Sequence, residues 1–330
     1  PSIKAMAAEF DFWRGLPGQG GLFFDKNDPT RTHATARFGS QALEFLRNCK
    51  ADQPFCLSLS FTAPHARDGQ PREFPPDPRD ESLYHDAIIP TPLTATHQFF
   101  ERLPKAVQVS ESRVRWTRRF DTPEKFAETT RDYLRLVTGI DREIGRIVAE
   151  LRERNLAENT IIVFTSDNGF FFGERGLADK WFMYEESIRV PLIIYDPALP
   201  ASARGRSVNA LTLNIDLAAT LLDLAGLQAP SAIQGKSLVP LLREAVSPAD
   251  WRSEMFYEHH TLPAKIPPSE GVRTERWSYL QWVNEVPVVE ELYDLRDDPL
   301  QTRNLAGENQ FATILAGLRA RTAALREELK

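Results

Sequence analysis

The sequence predicts an α/β fold: a mostly parallel central sheet flanked by helices, followed by a small antiparallel sheet with one helix. Three observations carry this. Two short, wholly apolar runs, at residues 160–165 and 190–195, have the pattern of strands buried on both faces, as in a parallel sheet. A long run of apolar residues at helical spacing precedes the first of them. Beyond about residue 252 the runs shorten and alternate, the pattern of an antiparallel sheet with one face on a core. The chain is 330 residues long, enough for a large domain at 1–252 and a small α+β subdomain at 253–330.

Taken in order, Ala36 to Asn48 reads as a helix with Phe38, Ala42, Phe45 and Leu46 on one stripe. Residues 54–61 read as a strand ending at Thr62-Ala63-Pro64-His65. Residues 66–123, rich in proline and charge, form a long irregular excursion of the kind that lines a site. Thr122 caps the strongest helix, with Pro123 at its first position. Phe126, Tyr133, Leu134, Val137, Ile140, Ile144, Ile147, Val148 and Leu151 recur along it at helical spacing to Arg154. After the two apolar strands, Asn214 to Ala225 is a helix stopped by Gly226. Alternating runs at Glu254–Glu258, Gly271–Thr274, Trp277–Trp282 and Val288–Leu295 make the small sheet, and a helix from Asn309 to Glu328 closes the chain.

Composition excludes several classes. The net charge of −6 gives no basic footprint for nucleic acid or an anionic membrane surface. No apolar stretch approaches the ~20 residues that span a bilayer. The start, Pro1-Ser2-Ile3-Lys4, has no apolar signal-peptide core and no initiator methionine, so Pro1 is not required to be the natural start. Two cysteines, Cys49 and Cys56, make neither a disulfide framework nor a zinc site; both read as small buried apolar residues.

Ligands of open α/β sheets gather at the carboxyl ends of strands. Two such ends carry suitable groups, Pro64-His65 and Ser166-Asp167-Asn168-Gly169. Asp167 and Asn168 both offer side-chain oxygens, which suits a hard cation such as Ca²⁺ or Mg²⁺ rather than zinc. Asp-Asn-Gly is equally ordinary turn chemistry, and a lone His65 or Lys180 is equally a structural or solvated residue.

Read with their flanks these residues become specific. Phe164-Thr165-Ser166-Asp167-Asn168-Gly169 through Gly173-Glu174-Arg175-Gly176, then Asp179-Lys180-Trp181-Phe182-Met183-Tyr184-Glu185-Glu186 through Pro191, closely resembles the type I sulfatase family. Ser60 to His65 is similar to that family's strand ending in a catalytic histidine. Asp11 to Gly20, Asp216 to Leu222, Gly235 to Leu238 and Glu291 to Leu295, followed by Asp298-Pro299 and Asn304-Leu305, match further family segments in order. The resemblance implies an alkaline-phosphatase-like fold and hydrolysis of sulfate esters or sulfamates, with a carbohydrate as the expected carrier. Asp167 and Asn168 would be ligands of Ca²⁺, with Mg²⁺ as the alternative. Lys180 would place positive charge on the sulfate, and His65 would steer proton transfer at the leaving oxygen. Arg175 stands where the family often has histidine and, with His259 and His260, is a candidate substrate contact. A phosphodiester or phosphonate monoester hydrolase on the same scaffold, and a non-catalytic glycan-binding protein, are the competing readings.

Family members carry their nucleophile, oxidised to formylglycine, in a Cys-x-Pro-x-Arg or Ser-x-Pro-x-Arg motif. Neither Cys49 nor Cys56 fits it, no serine does, and the family's first aspartate pair has no counterpart. The expectation is therefore a chain that begins after the formylglycine segment, corresponds to the family's C-terminal two-thirds, and is inactive alone. Its expected partners are a sulfated small molecule or glycan, and a second copy of itself through an uncovered sheet edge. The resemblance also implies a periplasmic or extracellular setting.

Overall fold

The computed structural model describes residues 3–16, 23–25, 27–50, 53–244 and 247–329. Pro1, Ser2 and the Pro17–Gly20 end of the Asp11–Gly20 segment therefore lie outside the described residues. In chain order the helices are α1 (Ile3–Ala7), α2 (Ala34–Asn48), α3 (His97–Glu101), α4 (Lys105–Gln108), α5 (Glu111–Arg119) and α6 (Pro123–Glu153). They continue with α7 (Glu185–Ile188), α8 (Asp216–Leu224), α9 (Val239–Leu242) and α10 (Ala312–Glu328). The strands are β1 (Ile162–Thr165), β2 (Phe171–Phe172), β3 (Ala178–Asp179), β4 (Leu192–Tyr195), β5 (Glu254–His259), β6 (Ser269–Thr274), β7 (Trp277–Trp282) and β8 (Val289–Asp294). None of the described helices is long and apolar enough to cross a membrane. The chain forms two compact units, Pro1–Pro90 with Asp121–Ile161, and Thr91–Phe120 with Ile162–Lys330.

The first unit is built on α2 packed along α6. Thr122 caps α6 as expected, its hydroxyl accepting the Lys125 N–H at 3.2 Å, and Pro123 opens the helix. The helices approach so closely at Gly39 that a Cβ there would meet the Glu143 carboxylate at 2.1 Å. The buried stripe of α6 differs from the apolar one read in the sequence. Asp132, Arg135, Glu143 and Glu150 are buried with Phe126, Leu136, Ile140 and Leu151, while Val137 is exposed. Charge complementarity explains the shift. Arg72 and Arg135 bind Asp132, Asp80 binds Arg142, and Arg47 grips Glu150. Buried charges are tolerated when paired in this way.

Residues 54–61 keep the alternation of a strand, with Phe55, Leu57 and Leu59 half-buried and Cys56, Ser58 and Ser60 exposed. They pair with no strand among the described residues, so no ladder forms. Cys56 is thus exposed, contrary to expectation, while Cys49 is half-buried and its thiol donates to the Phe45 carbonyl.

In the second unit β1 pairs with β4, from Ile162↔Tyr195 to Thr165↔Leu192. The ladder is antiparallel, a correction to the expectation that both runs are strands of the parallel kind. An apolar run reports burial, not direction. The link between the strands holds only a two-residue hairpin, β2–β3, and the four-residue α7, too little for the crossover helix a parallel return usually needs. Burial on both faces fails too, since Phe164, Ile193 and Tyr195 are exposed.

The C-terminal sheet matches its prediction closely. Strands β5–β6–β7–β8 form an antiparallel meander, each within three residues of the run that announced it. Neighbours on β7 point to opposite faces: Tyr279 into a cluster with Leu315, Leu318 and Leu325 of α10, Leu280 into a cluster with Phe171, Phe182 and Tyr184.

Candidate active site

β1 ends at Thr165, whose hydroxyl donates to the Pro191 carbonyl at 2.9 Å. The following loop is sewn to α7: Gly169 and Phe170 donate their N–H groups to the carbonyls of Ser187 and Glu186, both at 2.8 Å. A Cβ on Gly169 would lie 2.2 Å from the Glu186 carbonyl oxygen, so only glycine permits this approach. The side chains just before it are held open. Asp167 is exposed, and its Oδ1 accepts the Asn168 N–H at 3.0 Å. Asn168 donates its amide to the Gly169 carbonyl at 2.7 Å, which orients Oδ1 as an acceptor.

Lys180 is brought to this loop by strand register. In the β2–β3 hairpin Phe171 faces Asp179, the last paired residue, so Lys180 leaves the ladder at the end where Asn168 and Gly169 enter. It is half-buried and makes no hydrogen bond or ion pair among the described residues. Asp167, Asn168 and Lys180 all belong to the second unit, on the two chain segments that flank the Phe171↔Asp179 end of this hairpin.

His65 belongs to the first unit. Its N–H closes a turn on the Thr62 carbonyl at 2.9 Å, after a cis Ala63–Pro64 bond. Nδ1 lies 2.8 Å from the Ala66 carbonyl. A carbonyl only accepts, so Nδ1 carries the hydrogen and Nε2 of the neutral ring keeps its lone pair.

The three candidate substrate contacts fare differently. Arg175 is 3% exposed, in the left-handed region (φ 56°), and donates to the Gln301 and Leu300 carbonyls at 3.0 and 2.5 Å. Its guanidinium also lies over the Tyr184 ring, 4.5 Å from the centroid. These contacts, to carbonyls some 125 positions away, make it an interior brace between the β2–β3 hairpin and the Leu300–Gln301 turn. His259 is half-buried, and burial together with the neighbouring His260 pushes its ring below the usual imidazole value. His260 is exposed, 3.8 Å from the Glu258 carboxylate.

Two features escape sequence reading. Glu174 accepts the Phe172 N–H at 2.5 Å, and burial, aided by the Glu186 charge, raises its carboxyl to about 7. Asp179 is buried between Arg115 and Arg119 of α5. The available signal is the i, i+3, i+7 spacing of Ser112, Arg115 and Arg119, which places three polar groups on one helix face.

As for a metal, the two side-chain oxygens of Asp167 and Asn168 fit a hard cation as part of its shell. Among the described residues no group of three His, Cys, Asp or Glu side chains converges into a complete site.

Residues 6–227 match the family described as Sulfatase, and residues 173–328 match the one described as N-sulphoglucosamine sulphohydrolase, C-terminal. Over 370 aligned positions the chain is 32% identical to an N-acetylglucosamine-6-O-sulfatase of Bacteroides thetaiotaomicron, covering 92% of this chain and 64% of that protein. It spans about half the length of other curated relatives that it matches. A solved structure in complex with its substrate D-glucosamine-2-N,6-O-disulfate superposes with a TM-score of 0.79 at 30% identity, over 96% of this chain and 76% of that one. A phosphonate monoester hydrolase from Silicibacter pomeroyi superposes with a TM-score of 0.71 at 25% identity, over 99% and 68%. These neighbours share the α/β, alkaline-phosphatase-like fold class. With more than half of its residues inside the first match, the chain belongs to the sulfatase family.

Proposed function

We propose that this chain forms part of an enzyme that hydrolyses sulfate esters or sulfamates on an amino sugar. The observation that supports the reading is the β2–β3 hairpin, whose Phe171↔Asp179 end is flanked by the Asp167–Asn168 loop on one strand and by Lys180 on the other. Asp167 and Asn168 would hold a divalent cation, Ca²⁺ before Mg²⁺, which when bound draws charge from the sulfate oxygens. Lys180 sets its ammonium against the sulfate and the charge that grows on the leaving oxygen. His65, with Nδ1 tied to Ala66, offers Nε2 for proton transfer at that oxygen. The formylglycine nucleophile of the family has no motif in this chain. Residues 1–252 are proposed as the hydrolase domain and 253–330 as the supporting subdomain, a division that falls just before β5.

The amino sugar is supported by the names of the relatives, an N-acetylglucosamine-6-O-sulfatase and a structure bound to D-glucosamine-2-N,6-O-disulfate. The test is sulfate release from N-acetylglucosamine 6-sulfate by the natural gene product, against release of the alcohol from a phosphonate monoester. Faster sulfate release supports the reading. The reverse order would establish the alternative, which the phosphonate hydrolase neighbour favours. Because Asp167 and Asn168 are two ligands where Ca²⁺ takes 6–8, the 330-residue chain is expected to bind Ca²⁺ more weakly than micromolar by calorimetry.

A further inference from the structure

The carboxylate beside Lys180 is held by two cations, neither of them Lys180. Asp179 is 4% exposed; Arg115 donates to Oδ2 at 2.6 Å and Arg119 to Oδ1 at 2.7 Å. Both arginines come from α5. One turn earlier on the same face, Ser112 donates its hydroxyl to the Ala178 carbonyl at 2.6 Å and accepts the Ala178 N–H at 3.3 Å. On the other side of Lys180, the Trp181 carbonyl accepts the Tyr257 hydroxyl at 2.9 Å, and the Arg115 guanidinium lies 5.1 Å from the Trp181 ring centroid.

These contacts hold an unusual backbone. Asp179 has φ 70° and Trp181 φ 86°, a region that non-glycine residues seldom adopt and that for a bulky side chain is a clear outlier. Two left-handed residues around Lys180 end the strand's alternation, so its direction is set by the contacts on either side and not by a ladder. Asp179 is the acidic residue adjacent to Lys180 in the chain. Here both oxygens are taken, and Lys180 keeps its charge for a ligand.

We propose that Asp179, gripped by Arg115 and Arg119, is the positioning residue for Lys180 and fixes its ammonium toward the anion. This rests on the role proposed above for Lys180 and adds how that role is built.

The test is a double-mutant cycle on the 330-residue chain with inorganic sulfate as the probe, read by calorimetry and by the NMR signal of ¹³C-dimethylated Lys180. Asn is the replacement for Asp179, since it tolerates the left-handed region. Lys180→Ala and Asp179→Asn are each expected to weaken sulfate binding about ten-fold, and the double variant to be no weaker than Lys180→Ala alone. In Asp179→Asn the sulfate-induced shift of the Lys180 signal is expected to be lost. A purely structural role predicts additive losses instead, about a hundred-fold in the double variant, and that result would overturn the proposal. So would an Asp179→Asn chain that binds sulfate like the wild type while Lys180→Ala does not; the reading of Lys180 would then stand. Sulfate binding that Lys180→Ala leaves unchanged, or no binding by the wild type, would overturn both. If Asp179→Asn fails to fold by circular dichroism, Arg119→Gln, which leaves the Arg115 grip, takes its place in the same cycle.

Discussion

Two of the second unit's sheets have different surroundings. The β5–β8 meander is covered on both faces, by α10 on one and by the β2–β3 hairpin with its flanking aromatics on the other. The β1–β4 ladder carries a comparable density of apolar side chains, yet one of its faces leaves Phe164 36%, Ile193 61% and Tyr195 47% exposed. These three lie together, because Phe164 pairs with Ile193, and Ile162 with Tyr195. Similar strand sequences thus end in a finished core and in an open face. The deciding factor is what the rest of the described chain supplies to cover them, which strand composition does not encode.

The largest effect expected from this contrast is inside the meander. Glu291 is 3% exposed, and its carboxylate accepts from Trp282 Nε1 at 2.9 Å, Tyr184 OH at 2.8 Å and Tyr293 OH at 2.5 Å. Burial drives both tyrosines well above their ordinary range, so they remain donors at any working pH. Glu291→Ala would strand three buried donors at about 1–3 kcal/mol each, so a loss of more than about 3 kcal/mol is expected in urea unfolding. A loss under about 1 kcal/mol would mean that the sheet is less finished than its burial suggests.

The same contrast explains what could be read beforehand. The four meander strands and α10 were legible because alternation, turn residues and a covering helix all lie within the last eighty or so residues and agree with one another. β1 and β4 were legible as strands, but their direction was not, since apolarity says nothing about it. α5 was missed because Glu111–Arg119 has almost no apolar stripe; it is held instead by Arg115 and Arg119 on Asp179, a partner about sixty positions away. Asp167, Asn168 and Lys180 became specific only through their flanking motif, and no spacing rule announces that Lys180 follows the last paired residue of the β2–β3 hairpin. The burial of Arg175 was not legible for the converse reason: its carbonyl partners are distant in sequence.

A second, smaller effect concerns the hairpin that covers the meander. Glu174 has its carboxyl raised to about 7, chiefly by burial, against an ordinary value of 4.5. The folded state therefore holds a proton that the unfolded chain releases earlier. Its contribution to stability is full below about pH 4.5, declines as pH rises, and is gone above about pH 7. At roughly 1.4 kcal/mol per pKa unit this amounts to at most about 3.5 kcal/mol. Thermal unfolding is expected to show a stability loss between pH 5 and 7 that Glu174→Gln abolishes. An unchanged slope in that variant would assign the pH dependence to other groups.

The smallest effect on stability, and the sharpest test of the contrast, lies on the open face of the ladder. Ile193 is 61% exposed, so Ile193→Glu removes little burial and is expected to change the unfolding free energy by no more than about 0.5 kcal/mol. Its effect should appear in association instead. A ladder face that presents Phe164, Ile193 and Tyr195 offers apolar area to another chain, and self-association through it is the proposed consequence. Sedimentation of the 330-residue chain is expected to show concentration-dependent oligomers that the glutamate variant reduces. A wild-type chain that stays monomeric across that range would show that exposed apolar strands here are tolerated singly, as scattered surface residues usually are. A variant that associates as before would move the sticky surface elsewhere, and the two sheets would then differ in burial alone.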